Sequence, residues 1–239
     1  SAWRAGWFAL NDRDLFSAWF TMKLFVISDI HGAIKPIDNA APLIRAADGV
    51  IISGDITHTK TRAEAMDILA CLEQYSKRIL AVHGNWDREE VKELLEEKGY
   101  SLHGKGLVLD GVGFFGVGGS SPTPLNTATE YSEEEIALTL EAGYRKVRDA
   151  SRVVLVSHAP PRRVRDRSFI GLRGGSHSVK AFIGAHPINL CLCGHIHEAH
   201  GVERFQDTLV VNSGSFKKGR YVTIEIHSDM VATPGRVDY

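Results

Sequence analysis

Seven side chains that can bind metal ions come shortly after five apolar stretches of the chain. The stretches read LFVIS, VIIS, ILAV, VVLVS and LCLC, and the seven side chains are Asp29, His31, Asp55, Asn85, His158, His195 and His197. Taken singly, an aspartate after a strand commonly caps a turn or a helix, and a lone histidine there is more often a hydrogen-bonded structural residue. Taken together, carboxylate and amide oxygens mixed with imidazole nitrogens suit a divalent ion such as manganese, iron, cobalt, nickel or zinc.

The size of this set indicates more than one ion. A catalytic zinc takes three protein ligands and keeps one open position, so seven ligands exceed the needs of a single cation. Two cations that share a bridging carboxylate would use the whole set. The sequence therefore indicates a dinuclear centre, provided that the five stretches end at one place.

The elements that must position these residues alternate between two patterns. After Met22, apolar β-branched runs alternate with helical patterns over residues 37–47, 63–75 and 89–98. This alternation indicates an α/β fold with helices packed on the faces of a sheet. Functional groups in such folds gather beyond the carboxyl ends of the strands, which would bring the five ends together.

The rest of the chain is richer in strand patterns. These read LVL, VGFFGV, VVLVS, LCLC, TLVVN and YVTIEI. A helix is predicted over residues 133–148, because Ser132 and Glu135 have the spacing of a capping box before an apolar helical pattern. Residues 118–132 form the longest predicted loop, and loops of this length usually lie over or beside a site.

Length and composition favour one ordinary globular domain. The chain has 239 residues, of which 44% are hydrophobic and 24% charged, and its net charge is -1. A charge this small gives no overall field that would collect nucleic acid or an anionic membrane. No stretch approaches the roughly 18 to 20 apolar residues of a membrane span, and no secretory signal pattern is present. The three cysteines are expected to be free thiols in a reducing compartment, so we expect a cytoplasmic protein.

Residues 1–21 differ in composition from the remainder. They contain six aromatic side chains, whereas residues 22–239 read as a complete domain. One interpretation is that residues 1–21 are an extension upstream of the natural start. The other is that their aromatic side chains pack against the domain or a second subunit, which would make the protein a homo-oligomer.

The motifs around the seven side chains resemble those of a known family. In order, DIHG, GD, GN, SHAPP and GHIH resemble the calcineurin-like metallophosphoesterases, from about Lys23 to the C-terminus, and are most similar to the small prokaryotic phosphoesterases and phosphodiesterases. The resemblance implies a four-layer αββα sandwich, in which helices flank two mixed sheets and the active site lies at the carboxyl ends of the strands. It also implies two divalent ions, with manganese as the first choice and iron, nickel, cobalt or zinc as alternatives.

Site roles follow from the resemblance, position by position. The first ion would be bound by Asp29, His31 and His197; the second ion would be bound by Asn85, His158 and His195; Asp55 would bridge them. Asp55, Asn85 and His158 would form the catalytic group. Two such ions can bind the oxygens of a phosphate and convert a bridging water to hydroxide near neutral pH, and this hydroxide would attack phosphorus in line.

The motif HGNWD departs from the family pattern, in which histidine commonly follows the asparagine. This chain has Trp86 at that position. The indole N–H can donate a hydrogen bond but does not titrate near neutrality, so it cannot deliver a proton to a leaving group. We therefore expect a phosphodiesterase-like enzyme that lacks the usual general acid and favours leaving groups that need little protonation.

Other residues near the motifs have open roles. Trp86 could stack against a nucleobase or simply pack against a loop. Asp87 is expected to cap the next helix, although orienting backbone or water is the alternative. The loop after His158 has five arginines, among which Arg173 is the preferred phosphate contact. The candidate substitute acids are His58, His83, His177 and His200.

Three other functions compete with a phosphoesterase of small substrates. CLCGHIH could be a zinc site, but the usual cysteine spacing differs, and buried free thiols at Cys191 and Cys193 are the plain interpretation. A catalytically weak metal-binding scaffold of the same fold, like the retromer subunit, is the main alternative. A DNA nuclease is disfavoured because only the arginine loop could follow a nucleic-acid backbone.

Overall fold

The computed structural model describes residues 21–58, 61–227 and 229–239. Residues 1–20 lie outside the described residues, so the prediction that residues 1–21 form an extension or an oligomer contact stays a prediction. Among the described residues, no helix is both long enough and apolar enough to cross a membrane.

The first sheet contains five strands in the order β11-β10-β1-β2-β3. Strands β1, β2 and β3 run parallel, while β10 and β11 are antiparallel additions at the β1 side. The strand bounds are β1 Met22–Ile27, β2 Gly49–Ser53, β3 Ile79–Val82, β10 Arg220–Ile226 and β11 Met230–Arg236.

The second sheet contains six strands in the order β4-β5-β6-β7-β9-β8. Strands β5, β6, β7 and β9 run parallel, and the two edge strands are antiparallel to their neighbours. The strand bounds are β4 Gly106–Leu109, β5 Val112–Val117, β6 Arg152–Ser157, β7 Leu190–Cys193, β8 Gly201–Phe205 and β9 Thr208–Asn212.

Three apolar cores divide the described residues into four layers. The middle core joins the facing sides of the two sheets, for example Val26 of β1 with Val156 of β6. The outer face of the first sheet packs on helices α1 Lys35–Asn39, α2 Ala41–Arg45, α3 Arg62–Glu73 and α4 Glu89–Glu97. The outer face of the second sheet packs on α5 Glu133–Tyr144 and α6 His177–Ala185. The expected four-layer αββα sandwich of two mixed sheets is therefore confirmed.

Two helix predictions need correction. The helix expected over residues 37–47 is two short helices, because Pro42 lies in the first turn of α2 and cannot donate the backbone hydrogen bond of a helix interior. The helix expected over residues 133–148 ends at Tyr144, shortly after Gly143. Its predicted start is correct, since Ser132 and Glu135 form a reciprocal capping box. Ser176 likewise caps α6, since its side chain accepts a hydrogen bond from the N–H of Val179.

Candidate metal centre

The turns after strands β1, β2 and β7 have unusual backbone conformations. Asp29, His31, Asp55 and His195 have φ angles of 55°, 44°, 53° and 65°. Positive φ is uncommon outside glycine and costs conformational energy, so the surrounding structure must hold it. The turns after β1 and β2 are hydrogen-bonded to each other. The N–H of Asp29 donates to Gly54 O and the N–H of His31 donates to Asp55 O, both at 3.0 Å.

One group of potential ligands consists of Asp29, His31 and His197. His197 Nε2 lies 3.1 Å from Asp29 Oδ1 and 3.4 Å from His31 Nε2. Burial lowers the pKa of His31. Burial also acts to lower the pKa of His197, but the hydrogen bond and charge of Asp29 outweigh it and raise that pKa. Three ligand atoms from two distant parts of the chain thus lie within 4.8 Å of one another.

A second group surrounds the amide oxygen of Asn85. That oxygen lies 2.8 Å from His158 Nε2 and 2.8 Å from His195 Nδ1, and Asp55 Oδ2 lies 3.4 Å from His158 Nε2. His158 Nδ1 lies 2.7 Å from the carbonyl oxygen of Ser53, which can only accept, so Nδ1 donates and Nε2 faces the group. Ligand histidines are commonly oriented by such a bond from their other ring nitrogen.

The buried charges of this second group perturb its pKa values. Burial acts to raise the pKa of Asp55, but His158 lowers it to about 2. Burial acts to lower the pKa of His158, but Asp55 raises it to about 9. Burial lowers the pKa of His195 to about 4. A buried carboxylate that favours a positive charge this strongly is also a favourable partner for a metal cation.

The two groups are continuous. His31 Nε2 lies 3.7 Å from Asp55 Oδ2, and ligand atoms of Asp29, Asp55 and His158 lie within 4.8 Å of one another. The structure therefore brings all seven predicted side chains to one place, with Asp29 close to both groups. Two carboxylates, one amide oxygen and four imidazoles match the ligands of borderline divalent cations, so the residues fit a pair of such ions.

Two glycines allow these turns to approach one another. A Cβ atom added to Gly84 would collide with Asp55 Oδ1, and one added to Gly194 would collide with the Ser28 side chain and lie 2.6 Å from Asp29 Oδ2. The glycines of the GN and GH motifs are thus explained by close backbone approach to the two carboxylates.

Asp87 ties two of the turns together. Its carboxylate accepts hydrogen bonds from the amide N–H groups of Ile56, Thr57 and Gly84 at 3.1, 2.8 and 2.8 Å, and from the Thr57 hydroxyl at 2.9 Å. Burial raises the pKa of Asp87 to about 6. The expectation that Asp87 caps the next helix is wrong, because Arg88 is the N-cap of α4 and makes no side-chain capping bond. The alternative, orienting backbone, is correct.

Trp86 lies at the edge of the centre. Its backbone N–H donates to Asp55 Oδ1 at 3.0 Å, and its partly exposed indole lies 5.3 Å from the His58 ring at an angle of 30°. The His58 ring also lies 5.4 Å from the His31 ring. Of the four candidate substitute acids, His58 is therefore the one whose ring contacts both Trp86 and a predicted ligand.

The other three candidate acids have different surroundings. His83 is fully buried, its Nε2 lies 3.1 Å from Tyr131 Oη, and burial holds its pKa well below 6.5. His200 Nδ1 accepts a hydrogen bond from Arg220 at 2.8 Å. The backbone N–H of His177 donates to Glu133 at the start of α6.

Arg173 lies next in sequence to a residue beside the centre, and its guanidinium is already paired. Its guanidinium donates to the buried Asp166 carboxylate at 2.7 Å, and 38% of its side chain is exposed. The next residue, Gly174, lies beside His195, since a Cβ added there would be 3.4 Å from His195 Nε2. The predicted contact of Arg173 with phosphate stays a prediction.

The long loop over residues 118–132 lies beside the centre, as expected. Its Thr127 hydroxyl accepts a hydrogen bond from Asn85 Nδ2 at 2.9 Å and interacts with Glu130 at 2.5 Å. Neither Thr127 nor Glu130 was singled out from the sequence. The only signal was the length of the loop, because a threonine contact between distant segments has no local pattern.

The two cysteines near the GHIH motif belong to a core. Cys191 and Cys193 are fully buried free thiols in the outer core of the second sheet, and burial raises the pKa of Cys191 to about 12. Cys193 Sγ donates to the carbonyl oxygen of Val211 at 3.4 Å. The plain interpretation of buried thiols is correct, and the Cys/His zinc site is not formed.

Comparison with known proteins identifies the relatives of this chain. Residues 22–229 match the family model described as the calcineurin-like phosphoesterase superfamily domain. The chain is 35% identical over 199 residues to "Uncharacterized protein MJ1162" of Methanocaldococcus jannaschii, a match that covers 80% of this chain and 87% of that protein.

Two solved structures illustrate the similarity of fold. TT1561 of Thermus thermophilus has a TM-score of 0.70 at 17% identity, with 91% of this chain and 99% of that chain covered. A dimetal phosphatase from Danio rerio has a TM-score of 0.64 at 15% identity, with 91% and 97% covered. At these identities the likeness shows the fold alone.

Proposed function

Because this chain belongs to the calcineurin-like phosphoesterase superfamily, we propose that it is a metal-dependent hydrolase of small phosphoesters, with a preference for phosphodiesters. The observation that carries the proposal is the convergence of seven potential ligand side chains from five strand ends, with His158 Nε2 facing both Asn85 Oδ1 and Asp55 Oδ2. Burying so many polar and charged side chains together is costly unless they are paired or bind cations.

The chain's own residues would bind two divalent ions, with manganese first and iron, nickel, cobalt or zinc as alternatives. Asp29, His31 and His197 would hold one ion, Asn85, His158 and His195 the other, and Asp55 would lie between them. A pair of such ions supplies Lewis acidity toward phosphate oxygens and lowers the pKa of water. The Danio rerio protein of similar fold is a dimetal phosphatase, which supports a two-metal cofactor for this chain.

The protein residues would then orient the ligands and limit the protonation of the leaving group. His158 is directed at the centre by its bond to Ser53, and the Trp86 N–H holds the Asp55 carboxylate. Trp86 stands where the family commonly has its proton donor, and indole cannot supply a proton. Substrates with good leaving groups, such as aryl esters, certain diesters and anhydrides, are therefore favoured.

Substrate contacts are proposed at Trp86 and Arg173. The indole packs against His58 but is partly exposed. Its exposed surface can therefore stack against a nucleobase or another aromatic ring. Arg173 borders the His195 turn and has a guanidinium suited to phosphate oxygens. Contact with phosphate would have to compete with its pairing to Asp166.

The test is turnover of an aryl phosphodiester, bis(4-nitrophenyl) phosphate, by protein stripped of metal and reloaded with Mn²⁺. We expect two bound ions per chain and turnover that is lost in Asp55→Asn. Asp38→Asn is the matched control, since Asp38 is an aspartate that contacts Tyr75 on the outer helical layer. A parent that binds metal without turnover would favour the interaction scaffold, and a parent that binds no metal would refute the proposed centre.

A further inference from the structure

The orientation of the Asn85 amide decides whether its oxygen or its nitrogen faces the metal centre. Asn85 Oδ1 points at His158 and His195. If the amide were rotated by half a turn, its NH₂ group would face both imidazoles and would repel a cation. The correct orientation therefore needs a partner that accepts a hydrogen bond from Nδ2.

Thr127 is that partner. Asn85 Nδ2 donates to Thr127 Oγ1 at 2.9 Å. A hydroxyl can donate one hydrogen bond and accept others, so Thr127 could in principle face either end of an amide. Its polarity must therefore be fixed by something else.

Glu130 fixes this polarity. Thr127 Oγ1 lies 2.5 Å from Glu130 Oε1, and an ionised carboxylate can only accept, so the hydroxyl proton points to Glu130 and a lone pair points to Asn85. The same carboxylate oxygen accepts bonds from the N–H of Thr127 at 2.8 Å and from the Thr123 hydroxyl at 2.7 Å. Burial acts to raise the pKa of Glu130, but these hydrogen bonds outweigh it and lower that pKa, which keeps the group ionised.

The loop that carries Thr127 is docked onto the turn that carries Asn85. The N–H of Thr129 donates to Asn85 O at 3.0 Å, and the Thr129 hydroxyl donates to Asp87 O at 2.5 Å. The N–H of Gly119 donates to His83 O at 3.0 Å. These bonds hold the Thr127 hydroxyl in place beside the amide.

We propose that Thr127 and Glu130 are positioning residues, which together hold the carbonyl oxygen of Asn85 toward one of the two cations. This inference rests on the metal centre of the proposed function. Glu130 orders the Thr127 hydroxyl, Thr127 orders the Asn85 amide, and Asn85 presents oxygen to the ion. Loss of a group that orients a metal ligand typically weakens metal affinity about 10- to 100-fold.

The experiment is calorimetric titration of metal-stripped protein with Mn²⁺. We expect Thr127→Val, which replaces the hydroxyl with a methyl group, to weaken one of the two binding events by about 10-fold or more and to leave the other unchanged. Thr127→Ser keeps the hydroxyl and should bind both ions like the wild type. Thr127→Ala serves as a second variant without the hydroxyl and should reproduce the weakening.

Thr123→Val is the matched control, because it removes a hydroxyl from the same Glu130 oxygen without touching Asn85. We expect this variant to bind both ions nearly as the wild type does. If the wild type binds two ions and both Thr127→Val and Thr127→Ala bind them with unchanged affinity, the positioning role is overturned while the proposed function stands. Wild-type protein that binds no Mn²⁺ would overturn the proposed function together with it.

Discussion

His158 Nε2 lies 3.4 Å from Asp55 Oδ2, although the two residues follow strands of different sheets and are separated by about a hundred positions in the chain. The pair raises the pKa of His158 to about 9 and lowers that of Asp55 to about 2. Both groups are buried, so water does little to screen them.

The pair predicts a pH dependence of stability in metal-stripped protein. The folded pKa of His158 is above its ordinary 6.5, so its contribution is complete below pH 6.5 and is lost as pH rises through about 9. The contribution of Asp55 is present above pH 3.8 and is lost only as pH falls through about 2. Thermal unfolding should therefore show decreasing stability from pH 6.5 to 9, with a shallower decrease in His158→Gln. Equal slopes for the two proteins would contradict this assignment.

Trp86 predicts how rate depends on the leaving group. Wild-type turnover of a series of aryl phosphodiesters should fall steeply as the pKa of the leaving phenol rises, because no positioned acid protonates it. Trp86→His should flatten this dependence and raise the rate on alkyl esters, by up to the ~10² to 10⁴ that a general acid supplies. Trp86→Phe is the control that alters the ring without adding a proton donor. A flat wild-type dependence would show that another acid is already present.

His83 is predicted to be structural and not to act as the substitute acid. It is buried against Tyr131 and His103, and its pKa is held well below 6.5, so it is neutral at physiological pH. His83→Gln should lower the free energy of unfolding by about 1 to 3 kcal/mol and leave the leaving-group dependence unchanged. Denaturant unfolding and the aryl diester series measure the two effects. A steeper leaving-group dependence in this variant would reinstate His83 as an acid.

Asp87 is predicted to support the metal centre through backbone alone. Asp87→Ala leaves the N–H groups of Ile56, Thr57 and Gly84 without their acceptor, which should cost ~2 kcal/mol or more and weaken Mn²⁺ binding. Arg88→Ala, at the N-cap position of α4, should change neither the free energy of unfolding nor the Mn²⁺ affinity by much. The measurements are denaturant unfolding and Mn²⁺ titration. If Asp87→Ala lost helical signal but bound Mn²⁺ as tightly as the wild type, Asp87 would be a cap of α4 after all.

The sequence predicted the parts of this molecule whose signals are local. Apolar β-branched runs mark the buried parallel strands, and parallel strands bring the residues after them to one edge, so the convergence of Asp29, Asp55 and His158 could be anticipated. The capping box at Ser132 and Glu135 was equally readable, because it needs only residues three apart. The roles of the converging residues as metal ligands stay a prediction.

What the sequence did not reveal depends on partners elsewhere in the chain. Edge strands β8 and β11 were missed, because they are partly exposed and contain charged residues, proline or glycine, which hide the pattern of a strand. The role of Asp87 was misjudged because its partners Ile56 and Thr57 lie about thirty positions away. The contact between Thr127 and Asn85 has the same origin, since it forms only when the long loop folds over the turn.

The two sheets contribute separately to the candidate metal centre. Asp29, Asp55 and Asn85 follow strands of the first sheet, whereas His158 and His195 follow strands of the second. Neither half of the sandwich can therefore assemble the centre unaided. Ions would bind only when the two sheets are correctly aligned. Bound ions would in turn oppose movement of one sheet relative to the other. Correct folding and catalytic competence would therefore depend on the same binding event.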